Sequence, residues 1–223
     1  MSISRIGGAA LVVLTCVGAQ RADAFTINTF ARSAFNSNGA ILNANVGIDD
    51  RYTIENFQNA TIEPELSISY LRPDSSFGGG NDFNNNSSTA WDGNRSISIA
   101  GGSVNGFNGG VVFAFEGGAS SVGFGLGDIQ STGWTIAING TQVVSNITGL
   151  ANIATGTNRR SGYIRIDAQG NEIINTITID RTARGDRLDI DRLAFAPVPV
   201  PASIMMLLSA TLGIGLIGRM RKA

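Results

Sequence analysis

The chain contains no histidine and one cysteine, Cys16, so any chemistry it performs must use carboxylates, hydroxyls, amides and aromatic rings. Zinc fingers, iron–sulfur sites, histidine-based triads and intramolecular disulfides are thereby excluded. A two-carboxylate glycoside hydrolase stays open, because it needs only an acid and a nucleophile or base flanking one bond. Glu116 and Asp128, each beside an apolar stretch, are the pair whose position at strand ends would suit it. A second group is Asp186, Asp189 and Asp191, hard oxygen ligands of the kind calcium takes. On a strand, Asp189 and Asp191 share one face while Leu188 and Ile190 share the other. That spacing better suits a solvated polar face with Arg187 as an ion-pair neighbour. No cofactor is expected, and calcium is the one metal the aspartates would suit. Of the two tryptophans, Trp134 lies among apolar residues and belongs to a core, whereas Trp91 lies in polar surroundings and is the candidate platform for a sugar ring.

These residues must be positioned by an all-β scaffold. Short runs of β-branched and aromatic residues recur between Gly, Asn and Ser clusters at 65–71, 96–100, 111–115, 121–126, 134–138, 141–145, 162–168, 173–180 and 187–195. No long amphipathic helix competes with them. Asn139-Gly140, between two such runs, predicts a hairpin with a type I′ turn, in which both central residues take positive φ. Strands this short and this closely spaced predict a two-sheet β-sandwich of jelly-roll type. The Gly- and Asn-rich stretch 75–94 predicts a long surface loop, either a binding loop or a loose insertion.

Both ends read as addresses. Residues 1–24 predict a signal peptide: Arg5 gives the basic start, 6–18 the apolar core, and Ala22 and Ala24 the small residues that place the cut before Phe25. An apolar run this short does not span a bilayer of about 30 Å. Lipidation at Cys16 fits poorly, since Thr15 precedes it and the apolar run continues beyond it. Residues 197–223 carry Val198-Pro199-Val200-Pro201-Ala202, an uncharged run to Gly218 long enough for a short transmembrane helix, and the basic cluster Arg219, Arg221 and Lys222. That cluster predicts a cytoplasmic C-terminus opposite an external N-terminus.

A Pro motif, an apolar helix and a terminal basic cluster together resemble the PEP-CTERM sorting signal, and Val198-Pro199-Val200-Pro201-Ala202 resembles its VPLPA-type variant. Val200 between the prolines departs from the usual Pro-Glu-Pro core, which bears on which processing enzyme acts. The resemblance implies recognition by an exosortase, an integral-membrane transpeptidase, after signal peptidase has acted at the other end. It also implies passage from the inner membrane to the cell surface or extracellular matrix. Residues 120–128, the Asn-Gly hairpin, 162–164 and 188–195 are similar in order to the jelly-roll ectodomains found upstream of such signals, domains that resemble lectin and carbohydrate-binding sandwiches.

Between the addresses lie residues 25–196, one domain by length. Of the 16 basic residues, Arg5 and Arg21 precede this domain and Arg219, Arg221 and Lys222 follow it; of the 17 acidic residues only Asp23 is outside it. The domain is left with arginine as its only cation and a net charge of about minus five, the wrong sign for nucleic acid. The expectation is an exported, non-enzymatic surface or matrix protein that binds extracellular polysaccharide. A secreted carboxylate-dependent glycoside hydrolase and a self-associating adhesin are the alternatives.

Overall fold

The computed structural model describes residues 24–35, 39–58, 61–71, 83–84, 91, 95–101, 109–130, 132–157, 159–181 and 186–198. The signal peptide before Ala24, most of the 75–94 stretch, and the tail from Pro199 onward, including Arg219, Arg221 and Lys222, lie outside them. Among the described residues no helix is long and apolar enough to cross a membrane.

The chain is all-β. Its strands are β1 (Phe25–Ala31), β2 (Thr53–Glu55), β3 (Leu66–Tyr70), β4 (Phe83–Asn84), β5 (Ser96–Gly101), β6 (Gly110–Gly127), β7 (Trp134–Ile138), β8 (Thr141–Val144), β9 (Arg160–Ala168), β10 (Ile174–Arg181) and β11 (Asp186–Pro197). A 3-10 turn at Arg32–Phe35 and an α-helix, α1 (Gly39–Val46), precede β2. All pairings are antiparallel and join into one curled sheet, organised by β6.

The first half of β6 lies between β3 and β10, and the sheet continues through β7 to β8. Its second half lies between β9, which is edged by β1, and β11, which carries β5 and β2 on its far edge. The sequence pattern predicts two strands here, over 111–115 and 121–126; the structure shows one strand with a corner between them. At that corner Gly117 and Gly118 have φ of 72° and 78°, left-handed conformations that a side chain disfavours, and the ladder to β10 jumps from Ala114 to Ala119.

Passing the corner changes which residues face inward. Val111, Phe113 and Phe115 are inside before it, and Val122, Phe124 and Leu126 after it. Both halves of the sheet feed one core, in which Phe115 of β6 meets Phe195 of β11 at a ring separation of 5.3 Å. Each such fully buried apolar side chain contributes about 1.5–3 kcal/mol. The predicted hairpin forms, with φ of 49° at Asn139 and 80° at Gly140. Asn139 also clips the turn to β10, accepting at 2.8 Å from the Asn175 amide and donating at 2.7 Å to the Ile173 carbonyl. Trp134 is fully buried, as its apolar neighbours predict.

A side chain built on Gly117 meets no atom within 4 Å, so only backbone strain opposes it. Gly117→Ala in the full chain should lower unfolding free energy by about 1 kcal/mol. Phe113→Ala, which opens a core cavity, should cost about 3–5 kcal/mol. Urea unfolding of both variants measures this, and a neutral Gly117→Ala would remove the strain argument for the corner.

Candidate functional site

Beyond Ser121 the outer face of β6 is glycine at every second position: Gly123, Gly125 and Gly127. These bare backbone positions are seats for aromatic rings. A Cβ on Gly123 would come within 2.8 Å of the Tyr163 hydroxyl, and one on Gly125 would overlap the Trp91 ring. Trp91 and Tyr163 meet edge to face at 6.2 Å and 77°, within a small outer cluster that includes Val46, Ile48 and Ala194. Alpha-helix α1 is fastened over this layer by Arg165 Nη1, which donates to the Val46 carbonyl, and by Arg192 Nη2, which donates to Asn43 Oδ1 at 2.7 Å.

Trp91 is therefore no exposed sugar platform. It is 6% exposed, its indole Nε1 donates to the Leu126 carbonyl at 3.0 Å, and its backbone amide donates to Asp191 Oδ2 at 2.5 Å. The polar residues around it in the chain predict solvent, but the glycine stripe of β6 provides a dry seat. That stripe, glycine at alternate strand positions, is the signal by which sequence could have placed an aromatic layer here.

The aspartates of β11 are not solvated either. Asp189 and Asp191 are 1% and 0% exposed, so the expected polar surface face is corrected to an interior one. Asp191 accepts from the Trp91 amide and, at 2.6 Å, from the Arg192 amide. It thereby closes the irregular step at which β11 shifts register against β6 and Arg192 takes φ of 49°. Asp189 instead holds Arg187, accepting from Nε at 2.9 Å and Nη2 at 3.2 Å. Asp186 opens the same strand, but its side chain lies outside the described residues. Among the described residues no group of three His, Cys, Asp or Glu side chains is placed to hold a metal ion.

Asp128, just past the end of β6, is 3% exposed, and its Oδ2 lies 3.7 Å from Arg187 Nε. Burial pulls the Arg187 pKa down, but the hydrogen bond to Asp189 and the charges of Asp189 and Asp128 outweigh it and leave it raised. Glu116 is exposed at the corner, where its amide donates to the Glu65 carbonyl at 2.8 Å. The extended run of β6 beyond the corner separates Glu116 from Asp128 by roughly 30 Å at 3.3 Å per residue. Hydrolytic pairs stand about 5–10 Å apart, so these two do not form one. The sequence pattern locates both at strand ends but does not reveal that the ends are opposite.

Two other carboxylates, Glu55 buried and Asp167 partly buried, serve the fold. Glu55, 3% exposed, receives the amides of Phe57 at 2.6 Å and Glu63 at 3.0 Å, closing the loop between β2 and β3. Asp167 receives Ser121 Oγ at 2.6 Å, Asn28 Nδ2 at 2.8 Å and Arg165 Nε at 3.1 Å, tying β1, β6 and β9 together. At the end of β1, an open depression of about 580 Å³ is lined by Ala31, Arg32, Ser33, Asn152, Ile153 and Ala154.

No family model and no curated protein matches the sequence. Among solved structures, the chain is similar to the CpGH89CBM32-6 protein produced by Clostridium perfringens, with TM-score 0.36 and 13% identity over 65% of this chain and 100% of that one. It is also similar to the catalytic unit of the thermostable GH87 alpha-1,3-glucanase from Streptomyces thermodiastaticus strain HF3-3, with TM-score 0.33 and 13% identity. That match covers 67% of this chain and spans only 26% of the glucanase unit. A likeness at this level assigns no role to any residue.

Tyr163 is fully buried, donates its hydroxyl to the Arg192 carbonyl at 3.2 Å, and has its pKa pushed above the ordinary value of 10.0, chiefly by burial. A raised folded pKa means this contribution is complete below about pH 10 and is lost as pH rises further, when only the unfolded state releases the proton. Stability should therefore fall by up to about 1.4 kcal/mol per pH unit above pH 10. Tyr163→Phe should flatten that alkaline slope, as denaturant midpoints between pH 8 and 11 will show. An unchanged slope would mean that Tyr163 is not the group responsible.

Proposed function

We propose that this is an exported, non-enzymatic protein of the bacterial surface or extracellular matrix, and that its all-β domain, a jelly-roll-like sandwich, binds extracellular polysaccharide. One observation carries the export reading: the fold and the addresses meet at the same residues. Strand β1 begins at Phe25, the residue after the expected signal-peptidase cut, and β11 ends at Pro197, just before Val198.

Removal of either address leaves the strand pairings in place, at the cost of one bond at the N-terminal end, from the Gln169 amide to the Ala24 carbonyl at 3.0 Å. Phe25 pairs with Ala168 as the first rung of its ladder, so a cut before it breaks no strand pairing. At the other end Pro197 pairs with Ala119, and the Val198 amide donates to the Gly118 carbonyl at 3.3 Å. Cleavage within 199–202 leaves both in place. A non-enzymatic role is favoured by the carboxylates: the nominated pair is far apart, and Glu55, Asp167, Asp189 and Asp191 are committed to structural hydrogen bonds. The polysaccharide partner rests on the resemblance of the tail and of the ectodomain order.

Intact-mass analysis of the native protein with cell fractionation tests the reading. The expected species begins at Phe25, ends within 199–202 and lies outside the inner membrane. A species retaining Lys222 in the inner membrane would remove the sorting reading, and one retaining Met1 in the cytoplasm would remove export.

A further inference from the structure

Charge is sorted between the two ends of the second half of the sheet. Ala31 pairs with Gly162, Gly127 with Arg160, and Asp189 with Gly127, so Arg32, Arg159, Arg160 and Arg187 gather at one end. Among the described side chains there, Asp128 and Asp189 are buried against Arg187, while Arg32 and Arg159 are exposed. At the opposite end, by the corner of β6, the acids Glu65, Glu116 and Glu172 are the exposed groups. A domain of net negative charge thus gathers several arginines at one end of the sheet.

The depression beside Arg32 lies at that cationic end. Ala31, Ile153 and Ala154 supply apolar lining, and Ser33, Asn152 and Arg32 supply a hydroxyl, an amide and a guanidinium. It is held from both sides. Asn152, with φ of 63°, donates from Nδ2 to the Thr29 carbonyl of β1 at 3.1 Å, and the Ala154 amide donates to the Ser161 carbonyl of β9 at 2.9 Å. The Arg159 guanidinium lies against Gly156, further along the same loop. A preformed hollow with apolar surface and a few fixed polar groups suits sugar rings. A guanidinium presents paired donors that match a carboxylate or sulfate.

We propose that this depression binds an acidic polysaccharide, sugar rings lying on Ala31, Ile153 and Ala154 while Arg32 and Arg159 hold carboxylate or sulfate groups along the chain. This rests on the polysaccharide reading above and narrows it to anionic glycans. The test is affinity electrophoresis of the full chain in mild detergent through gels containing polygalacturonate, dextran sulfate or neutral dextran. Retardation by polygalacturonate or dextran sulfate is expected, the stronger of the two naming the anionic group, and it should weaken steeply as salt rises above about 0.1 M. Arg32→Glu with Arg159→Glu should weaken it at least about tenfold. Arg51→Glu should not, since Arg51 lies on the 47–52 loop, exposed and bonded to Asp49. Unchanged urea midpoints will establish that the variants fold.

Equal retardation by neutral dextran would overturn this site while leaving polysaccharide binding intact. No retardation in any gel would overturn both. Low-salt sedimentation showing oligomers that Arg32→Glu and Arg159→Glu dissolve, with no retardation by the anionic glycans, would assign the arginines to the acidic corner of a second copy and overturn the proposal.

Discussion

Strand β6 has to belong to two halves of a sheet at once, and its outer face past the corner has to be bare backbone. Most of the architecture follows from those two demands. The corner at Gly117-Gly118 lets one strand turn the sheet over, so that Phe113 and Phe115 before it and Phe124 and Leu126 after it fill one core. The stripe at Gly123 and Gly125 then leaves room on the opposite face for the rings of Tyr163 and Trp91. Helix α1 and the 47–54 segment complete that outer layer through Val46, Ile48, Tyr52 and Ile54.

The polar groups of the interior are arranged around the same strand. Asp191 fixes the Trp91 amide where β11 shifts register, Asp167 ties three strands, and Asp189 anchors Arg187 at the far end of β6. A buried carboxylate left without donors would cost several kcal/mol, so Asp189 and Asp191 are stabilising only because their hydrogen bonds are made. The consequence for function is geometric. With Asp128 and Asp189 turned inward against Arg187 at one end of the sheet, Arg32 and Arg159 are the exposed charges among the described side chains there, and the described surface is electrically two-ended.

Much of the scaffold is legible in the amino-acid sequence. Period-two alternation locates β3, β5, β7, β8, β9, β10 and β11 to within a few residues, and Asn139-Gly140 specifies its turn because few dipeptides tolerate two positive φ values. Strands β1 and β2 are not visible: in the first the alternation breaks at the adjacent polar residues Asn28 and Thr29, and the second is three residues long. The site residues fare worse for a different reason. Whether Trp91 is wet or dry, and whether Glu116 and Asp128 converge, depends on which strands become neighbours, and local pattern carries no information about pairing across a hundred residues. Burial of Asp189 and Asp191 follows from the same long-range contacts, since Asp189 lies between β5 and β6 and Asp191 lies beside β6 with its carboxylate against the Trp91 amide.

The most direct test of this account is a double-mutant cycle on Gly125 and Trp91 read by urea unfolding of the full chain. If the glycine face exists to seat the ring, Gly125→Ala alone should cost about 1–3 kcal/mol through overpacking. In a Trp91→Ala background, where the added methyl meets open space, it should cost less than about 0.5 kcal/mol, giving a coupling above about 1 kcal/mol. Equal costs in the two backgrounds would contradict the account, because the outer layer would then be held by something other than the bare backbone of β6.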